Sequence, residues 1–308
     1  MRIRAFLNCV LMNVIYSILY HPKINWFIRN LCYYFRWLIP KNMRIHPSGT
    51  IKFKLDALTQ EIKFKTNQTN YLTKILFWER KRGFEYTSIF IKLIKELDVF
   101  IDVGANIGYY SILGAKINTN LKVFSFEPSI GPMIYLSENI KINDLENQIS
   151  VEVKALSEQV GNVEFNELRN TKFPTIYNLS GEHNMGTKPE KIHHKISVQS
   201  DTLNNYVSKK KLNKIDLIKL DTEGNEDIIL YHSDKVIEKY RPIIICETLF
   251  NTIENSLEKI MLQHNYFFFN HIDNRLVKVS SIKREIDKGV RNCFFVPKEK
   301  THLIDKFL

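Results

Sequence analysis

The feature that most constrains this chain is an apolar strand running directly into a glycine-bracketed turn and a helix, VFIDVGANIGYYSILGAK at residues 99–116. The apolar run ends at Asp102-Val103-Gly104, Gly104 and Gly108 bracket the turn, and Tyr109 opens the helical pattern. A turn of this kind sets unpaired backbone N–H groups, and the positive end of a helix dipole, at the carboxyl end of a strand, where open α/β sheets hold their ligands. Glycine at these positions is expected to let a ligand approach the backbone with no Cβ in the way. Glu127 stands 23 residues after Gly104, at the end of the next apolar run and just before Pro128. An acid at that spacing can accept hydrogen bonds from both hydroxyls of a ribose.

The pattern departs from a dinucleotide fingerprint. Asn106 and Tyr109 occupy positions where G-x-G-x-x-G requires glycine, so an adenosine bearing an amino-acid tail fits the turn better than a pyrophosphate. The bland alternative is an α/β fold whose switch point is empty.

From residue 97 onward, strand and helix patterns alternate. Seven strands are expected at Val99–Val103, Val123–Glu127, Ser150–Val153, Leu217–Leu220, Ile243–Cys246, Tyr266–Phe269 and Cys293–Val296. Helical patterns follow the first, second, fourth and fifth, which predicts a doubly wound, mostly parallel seven-stranded α/β sheet. Gly161 interrupts ALSEQVGNVEF, suggesting a short hairpin after the third strand, and a polar Gly/Pro/His-containing loop is expected from Asn166 to Lys195. Upstream, residues 51–65 alternate as a β-hairpin turning near Asp56, and Tyr71–Leu97 reads as helical. The expected organisation is therefore a basic aromatic arm at 1–45, a hairpin and helix at 46–96, and the main domain at 97–308.

The arm is distinctive. Residues 1–55 hold nine Lys and Arg residues and no acid, with aromatic residues such as Trp26, Phe27, Tyr33, Tyr34, Phe35 and Trp37 interleaved. At about 1.5 Å per residue its apolar stretch from Ala5 to Tyr20 is too short to span a bilayer. Arg2 and Arg4 precede that stretch as in a signal peptide, but no small-residue cleavage site follows, so cleavage is not expected. A pair of helices lying on an anionic membrane face through residues 1–44 is one expectation, and packing on the main domain or on a second subunit is the other. The net charge of +11 favours anionic surroundings in general without specifying the fold. Cys9, Cys32, Cys246 and Cys293 form no close pair, which fits a reducing, cytoplasmic setting, peripheral at the inner membrane face if the arm binds lipid.

A second acidic cluster, IKLDTEGNE at 218–226, ends the fourth strand. Lys219, Asp221 and Glu223 alternate onto one face, and Gly224 releases the chain toward a helix carrying Glu226. Asp221 is a candidate for contact with a reacting group. Glu223 and Glu226 divide between that role and capping of the helix. Three nearby carboxylates would suit a hard cation, but the Lys219 charge beside them argues against a dedicated cage, so no metal is expected.

FIDVGANIGYYS (100–111), FSFEPS (124–129), ALSEQVGNVEF (155–165), IKLDTEGNE and NCFFVPK (292–298) together resemble the FkbM-type methyltransferase family, over about two thirds of the chain, from Glu85 to Lys298. The resemblance implies a class I methyltransferase fold, S-adenosylmethionine as cofactor, and O-methylation of a hydroxyl on a sugar, a cell-envelope glycan or a secondary metabolite. On this basis Asp102, Gly104, Asn106, Gly108, Glu127, Ala155 and Asp221 are expected to bind the cofactor, and Asp221 and Glu223 to act on the acceptor. His183, His193 and His194, from the polar insertion, are further candidate bases. One departure is Asn204, which stands where the family usually shows an acid, and no role is assigned to it. The alternatives are an RNA methyltransferase, for which no RNA-binding appendage is recognisable, and a non-catalytic membrane-associated protein that kept the fold.

Overall fold

Strand β3 (Val99–Val103) is buried at all five positions, as a parallel strand covered on both faces must be. It lies inside an eight-stranded sheet of a computed structural model that describes residues 12–55, 61–79, 83–168, 170, 175–180 and 193–308. With β4 (Lys122–Phe126), β5 (Ile149–Glu152), β9 (Leu217–Leu220), β10 (Ile243–Glu247), β11 (Tyr266–Ile272), β12 (Arg275–Val279) and β13 (Asn292–Pro297), the order is β12-β11-β13-β10-β9-β3-β4-β5. Strands β10, β9, β3, β4 and β5 are parallel neighbours, whereas β13, β11 and β12 are joined by antiparallel pairings.

This is the expected methyltransferase-like α/β sheet with one strand more than the seven foreseen. The extra strand is β12, which forms a hairpin with β11 through Asp273 and Asn274, both with positive φ. Two left-handed residues in a row match the right-handed twist of paired strands.

Side chains of β3 alternate between two helical layers. Ile101 and Val103 join a buried cluster with residues of the helices Leu203–Lys210, Glu226–Tyr231, Asp234–Tyr240 and Glu254–Gln263. On the other face Phe100 packs against Phe90 of the helix Thr87–Ile94, ring centroids 5.4 Å apart.

Strands β6 (Ala155–Leu156), β7 (Gly161–Leu168) and β8 (His193–Asp201) form a separate three-stranded sheet. The hairpin expected within 155–165 is not the pairing found. Both β6 and β7 pair with β8, one parallel and one antiparallel, so the end of the expected polar loop is a strand.

The chain divides into two compact units, residues 1–84 with 175–180, and residues 85–174 with 181–308. The expected main domain begins at 97, while the larger unit begins at Glu85 and includes the helix Thr87–Ile94. The helical stretch expected from Tyr71 to Leu97 is two helices, α2 (Tyr71–Glu79) and Thr87–Ile94, with Gly83 at φ +69° between them.

In the smaller unit, residues 12–19 are helical, α1 spans Pro22–Tyr34, and β1 (Gly49–Phe53) pairs antiparallel with β2 (Ile62–Thr66). The expected hairpin is present, and its turn near Asp56 lies outside the described residues. Pro22 suits the first turn of α1, where a missing N–H costs nothing. Asn67 and Asn70 donate side-chain hydrogen bonds to Tyr177 O (2.8 Å) and Leu179 O (2.9 Å), tying residues of the long loop to this unit.

The tie between α1 and β1 is polar. Arg29, 1% exposed, donates to Ser48 O and Thr50 O, both at 2.6 Å, and to Asn25 Oδ1 at 2.9 Å. Asn25 Oδ1 also accepts from Ser48 N at 2.7 Å. Arg29→Leu keeps bulk but removes these donors, and each buried acceptor left unpaired costs about 1–3 kcal/mol. Trp26, Trp37 and Trp78 are the chain's three tryptophans, and all lie in this unit. The variant should therefore shift the urea midpoint read by tryptophan fluorescence to lower denaturant. An unmoved midpoint would show that the guanidinium is not the tie.

Candidate functional site

The turn after β3 is built from left-handed residues: Gly104 at φ +73°, Asn106 at +50° and Gly108 at +90°. Gly104 N and Ala105 N both donate to Phe126 O, at 3.1 and 3.0 Å, which pins the turn to the end of β4. The glycines are also required by the protein's own packing. A Cβ on Gly104 would lie 1.9 Å from the carbonyl oxygen of Asp221, and a Cβ on Gly108 would lie 2.5 Å from Leu136 Cδ1. Gly104 thus lets the turns after β3 and β9 touch.

Glu127, just past β4, is 3% exposed. Its Oε2 accepts from Asn106 N and its Oε1 from Ser129 N, both at 2.9 Å. Burial pushes its carboxyl up to about 7, against the downward pull of those two N–H groups.

Between the two turns lies Lys219, on β9 and 4% exposed. Its Nζ is 3.4 Å from Asp102 Oδ1, 3.2 Å from Asp221 Oδ2 and 3.3 Å from Gly104 O. Burial disfavours the ammonium, but the Asp221 and Asp102 carboxylates together outweigh it and hold its pKa above the usual lysine value. Asp102 is 1% exposed, and its other oxygen accepts from Ser111 Oγ at 2.5 Å. Ser111 in turn shares a 2.8 Å hydrogen bond with Ser125 of β4.

Beyond β9 the loop is shaped by Glu226. Its Oε1 accepts from Thr222 N (2.6 Å) and Thr222 Oγ1 (2.9 Å), and its Oε2 accepts from Gly224 N (3.0 Å). These contacts make Glu226 the residue that holds the loop before the helix, a role outside the two set out for it from the sequence. Glu223, at φ +60°, sits within this loop.

Asp221 and Glu223 converge with Glu247, the last residue of β10. Each offers an oxygen within 4.8 Å of the others, a donor set that a hard divalent cation can use. Glu247 was not among the sequence candidates. The signal was available: IIICE ends in an acid just as FSFE does at Glu127. Burial first, then the charges of Asp221, Glu223 and Glu226, raise the Glu247 carboxyl well above the carboxylate range. Its Oε2 is buried without a hydrogen-bond partner among the described residues.

Glu85 is a second residue the sequence did not single out. It hydrogen-bonds Asn292, and its carboxyl is pushed up to about 7, by its low-dielectric surroundings first and by Asp221 second.

The structure thus draws Asp102, Gly104, Asn106, Glu127 and Asp221 into one connected set of hydrogen bonds, ion pairs and backbone contacts, with Glu223 beside Asp221. Ala155 lies on β6 of the three-stranded sheet, opposite Ser200 of β8. His193 and His194 open β8, with His194 exposed, and His183 lies outside the described residues.

Residues 102–278, more than half of the chain, match the family model described as the Methyltransferase FkbM domain. Among solved structures the chain is similar to a methyltransferase FkbM from Methylobacillus flagellatus KT, at 14% identity and a TM-score of 0.43, covering 64% of this chain and 43% of that one. It is also similar to a precorrin-6y C5,15-methyltransferase from Geobacter metallireducens GS-15, at 9% identity and a TM-score of 0.38, covering 68% and 87%. A third is the METTL16 MTase domain, at 14% identity and a TM-score of 0.41, covering 68% and 66%. No curated protein matches the chain.

The contact between the two turns can be separated from backbone strain. Gly289 has φ +78°, close to the +73° of Gly104, but a Cβ on it would meet nothing within 4 Å. Gly289→Ala should cost only the left-handed backbone, about 1–2 kcal/mol. Gly104→Ala should add a collision with the Asp221 carbonyl, a further 1–3 kcal/mol or so for overpacking. Equal urea midpoints for the two variants would mean that the turns are free to part.

Proposed function

The chain belongs to the methyltransferase FkbM domain family, and from that membership we propose that it transfers a methyl group from S-adenosylmethionine to a hydroxyl of a sugar, a cell-envelope glycan or a secondary metabolite. The observation that carries this reading is the convergence of Asp221, Glu223 and Glu247 at the ends of β9 and β10, beside the glycine turn of β3. When bound, S-adenosylmethionine supplies a methyl group activated by its sulfonium.

The residues at the ends of β3 and β4 fit an adenosyl group. Each Glu127 oxygen accepts one backbone N–H, which fixes the plane of the carboxylate. An ionised carboxylate has about four acceptor sites, so room remains for two ribose hydroxyls. Asp102 Oδ1, buried and lacking a hydrogen bond, is available to a polar group entering beside Lys219.

On the acceptor side, Asp221 is placed to take the hydroxyl proton as the oxygen gains the methyl group, and Lys219 holds Asp221 in position. Burial and the neighbouring carboxylates favour the protonated form of Glu247, and in that form it donates a hydrogen bond where Asp221 accepts one. One donor beside acceptors matches neighbouring hydroxyls of a sugar. Alignment contributes roughly 7–11 kcal/mol in reactions of this kind, and a placed base adds about 10²–10⁴-fold.

The test is transfer of labelled methyl from S-adenosylmethionine to cell-envelope glycans, small polyols and RNA from the source cell. Label in glycan or polyol is expected. Label confined to RNA, or none in any arm, would overturn the proposal. Asp221→Asn should lower turnover by about two orders of magnitude or more while leaving cofactor affinity nearly unchanged. Near-normal turnover would remove Asp221 from the chemistry.

Glu127 gives a pH signature. The carboxylate form accepts ribose hydroxyls, and with a pKa of about 7 it is largely lost at pH 6. Affinity for S-adenosylmethionine should therefore be about tenfold weaker at pH 6 than at pH 8. Glu127→Gln should bind more weakly, with a flat profile over that range. The ligand-free fold is expected to follow the opposite trend. A carboxyl raised above its unfolded value contributes stability that is full below about pH 4 and is lost as pH rises through about 7. Calorimetric titration across this range checks the sign.

A further inference from the structure

Helix α1 is turned inside out. Asn25, Arg29 and Cys32 share one face by i, i+4, i+7 spacing. Asn25 and Arg29 are buried and Cys32 is half-buried. Phe27, Leu31 and Tyr34 occupy the opposite face and are 63%, 51% and 75% exposed. A helix that packs on a water-soluble body normally reverses this arrangement.

The exposed apolar surface continues on both sides of α1. Met12, Val14, Ile15 and Ile18 are exposed before it, and Phe35, Trp37 and Leu38 after it. Single exposed hydrophobic residues are ordinary, but a continuous run of this length marks an interaction surface.

The charged side chains of residues 12–54 are all basic, and among the described residues the acid that pairs with one of them is Glu79, 3.2 Å from Arg44. Residues 1–55 contain no acid. Lys23, Arg36, Lys41, Lys52 and Lys54 are exposed, and Arg36 stacks on the ring of Tyr33 at 4.4 Å. Such a surface does not complement itself, because a second copy would bring cations against cations. It complements a sheet of anions over an apolar layer. Trp and Tyr suit the boundary of that layer, with an apolar ring body and a polar tip. No described helix is long and apolar enough to cross a membrane, so the fitting geometry is a helix lying in the interface.

We infer that residues 12–41 form a docking face for an anionic lipid bilayer, with the outward side of α1 inserted among the acyl chains and Lys23, Arg36 and Lys41 at the headgroups. The inference is independent of the methyl-transfer proposal.

The test uses the full chain and vesicles of phosphatidylcholine alone or with one third phosphatidylglycerol. Co-sedimentation should be about tenfold stronger with the anionic vesicles and should weaken in 0.5 M salt. Trp26 and Trp37 emission should shift to the blue on binding. The variant Phe27→Ser/Leu31→Ser/Leu38→Ser replaces exposed side chains only, so circular dichroism and the urea midpoint should be unchanged while anionic-vesicle binding falls about tenfold or more. Lys23→Gln/Arg36→Gln/Lys41→Gln, also exposed, is a second route to the same loss. Equal sedimentation of the wild type and both variants would overturn the inference. So would a vesicle-free dimer that either variant converts to monomer, since the face would then belong to a second copy.

Discussion

A buried ammonium organises the carboxyl end of the parallel strands. Taking Lys219 out of water costs several kcal/mol unless opposite charges surround it, and Asp102 on the adjacent parallel strand β3 and Asp221 just past the end of β9 do so. Gly104 O supplies a third contact, so the cation joins the turn after β3 to the turn after β9. The missing Cβ at Gly104 allows that approach, and Asp102 passes the constraint through Ser111 to Ser125 on β4. Phe126 O holds the turn from the other side, and Glu127 follows it. The groups proposed to hold adenosine and the group proposed to take a proton are therefore parts of one polar network. A change at Lys219 would be felt at both.

That network explains how so many acids share one end of the sheet. Asp221 has Lys219 as its counter-ion, and Glu226 is satisfied by three hydrogen bonds from the loop that it shapes. Glu247 Oε2 has no hydrogen-bond partner among the described residues, and burial and the neighbouring carboxylates raise its carboxyl above the usual carboxylate range. A chain of net charge +11 thus carries an acidic site. Net charge is a sum over surfaces with different tasks, and here the acid-free stretch at 1–55 accounts for much of it.

The main sheet was legible because buried parallel strands appear as short apolar runs. The seven runs correspond to β3, β4, β5, β9, β10, β11 and β13. β12 was missed because it is an edge strand with only Leu276 buried, although Asp273-Asn274 is a recognisable hairpin turn. β8 was missed because its partner β7 lies a long loop away and its first residues, His193-His194-Lys195, are polar. Glu247 was passed over because the expected strand stopped at Cys246. For the glycine turn, the sequence did not carry the packing reason that the structure adds. The sequence shows that glycine is present, while the atom that forbids a Cβ, Asp221 O, is 117 residues away.

The smaller unit also buries a cation, and the comparison with Lys219 shows why it is an arginine. Arg29 pairs with no acid among the described residues; its contacts are the carbonyls of Ser48 and Thr50, the amide oxygen of Asn25, and the ring of Phe77 at 5.4 Å. Without a counter-ion, burial lowers its pKa to about 10, and it is still protonated at neutral pH. A lysine starts about two pKa units lower and has no planar fork to satisfy three acceptors at once. In this unit the polar contacts, rather than the apolar face of α1, attach the helix to β1. Phe27, Leu31 and Tyr34 therefore remain outside, and the residues that make the helix unusual as a packed element are the ones proposed to enter a bilayer.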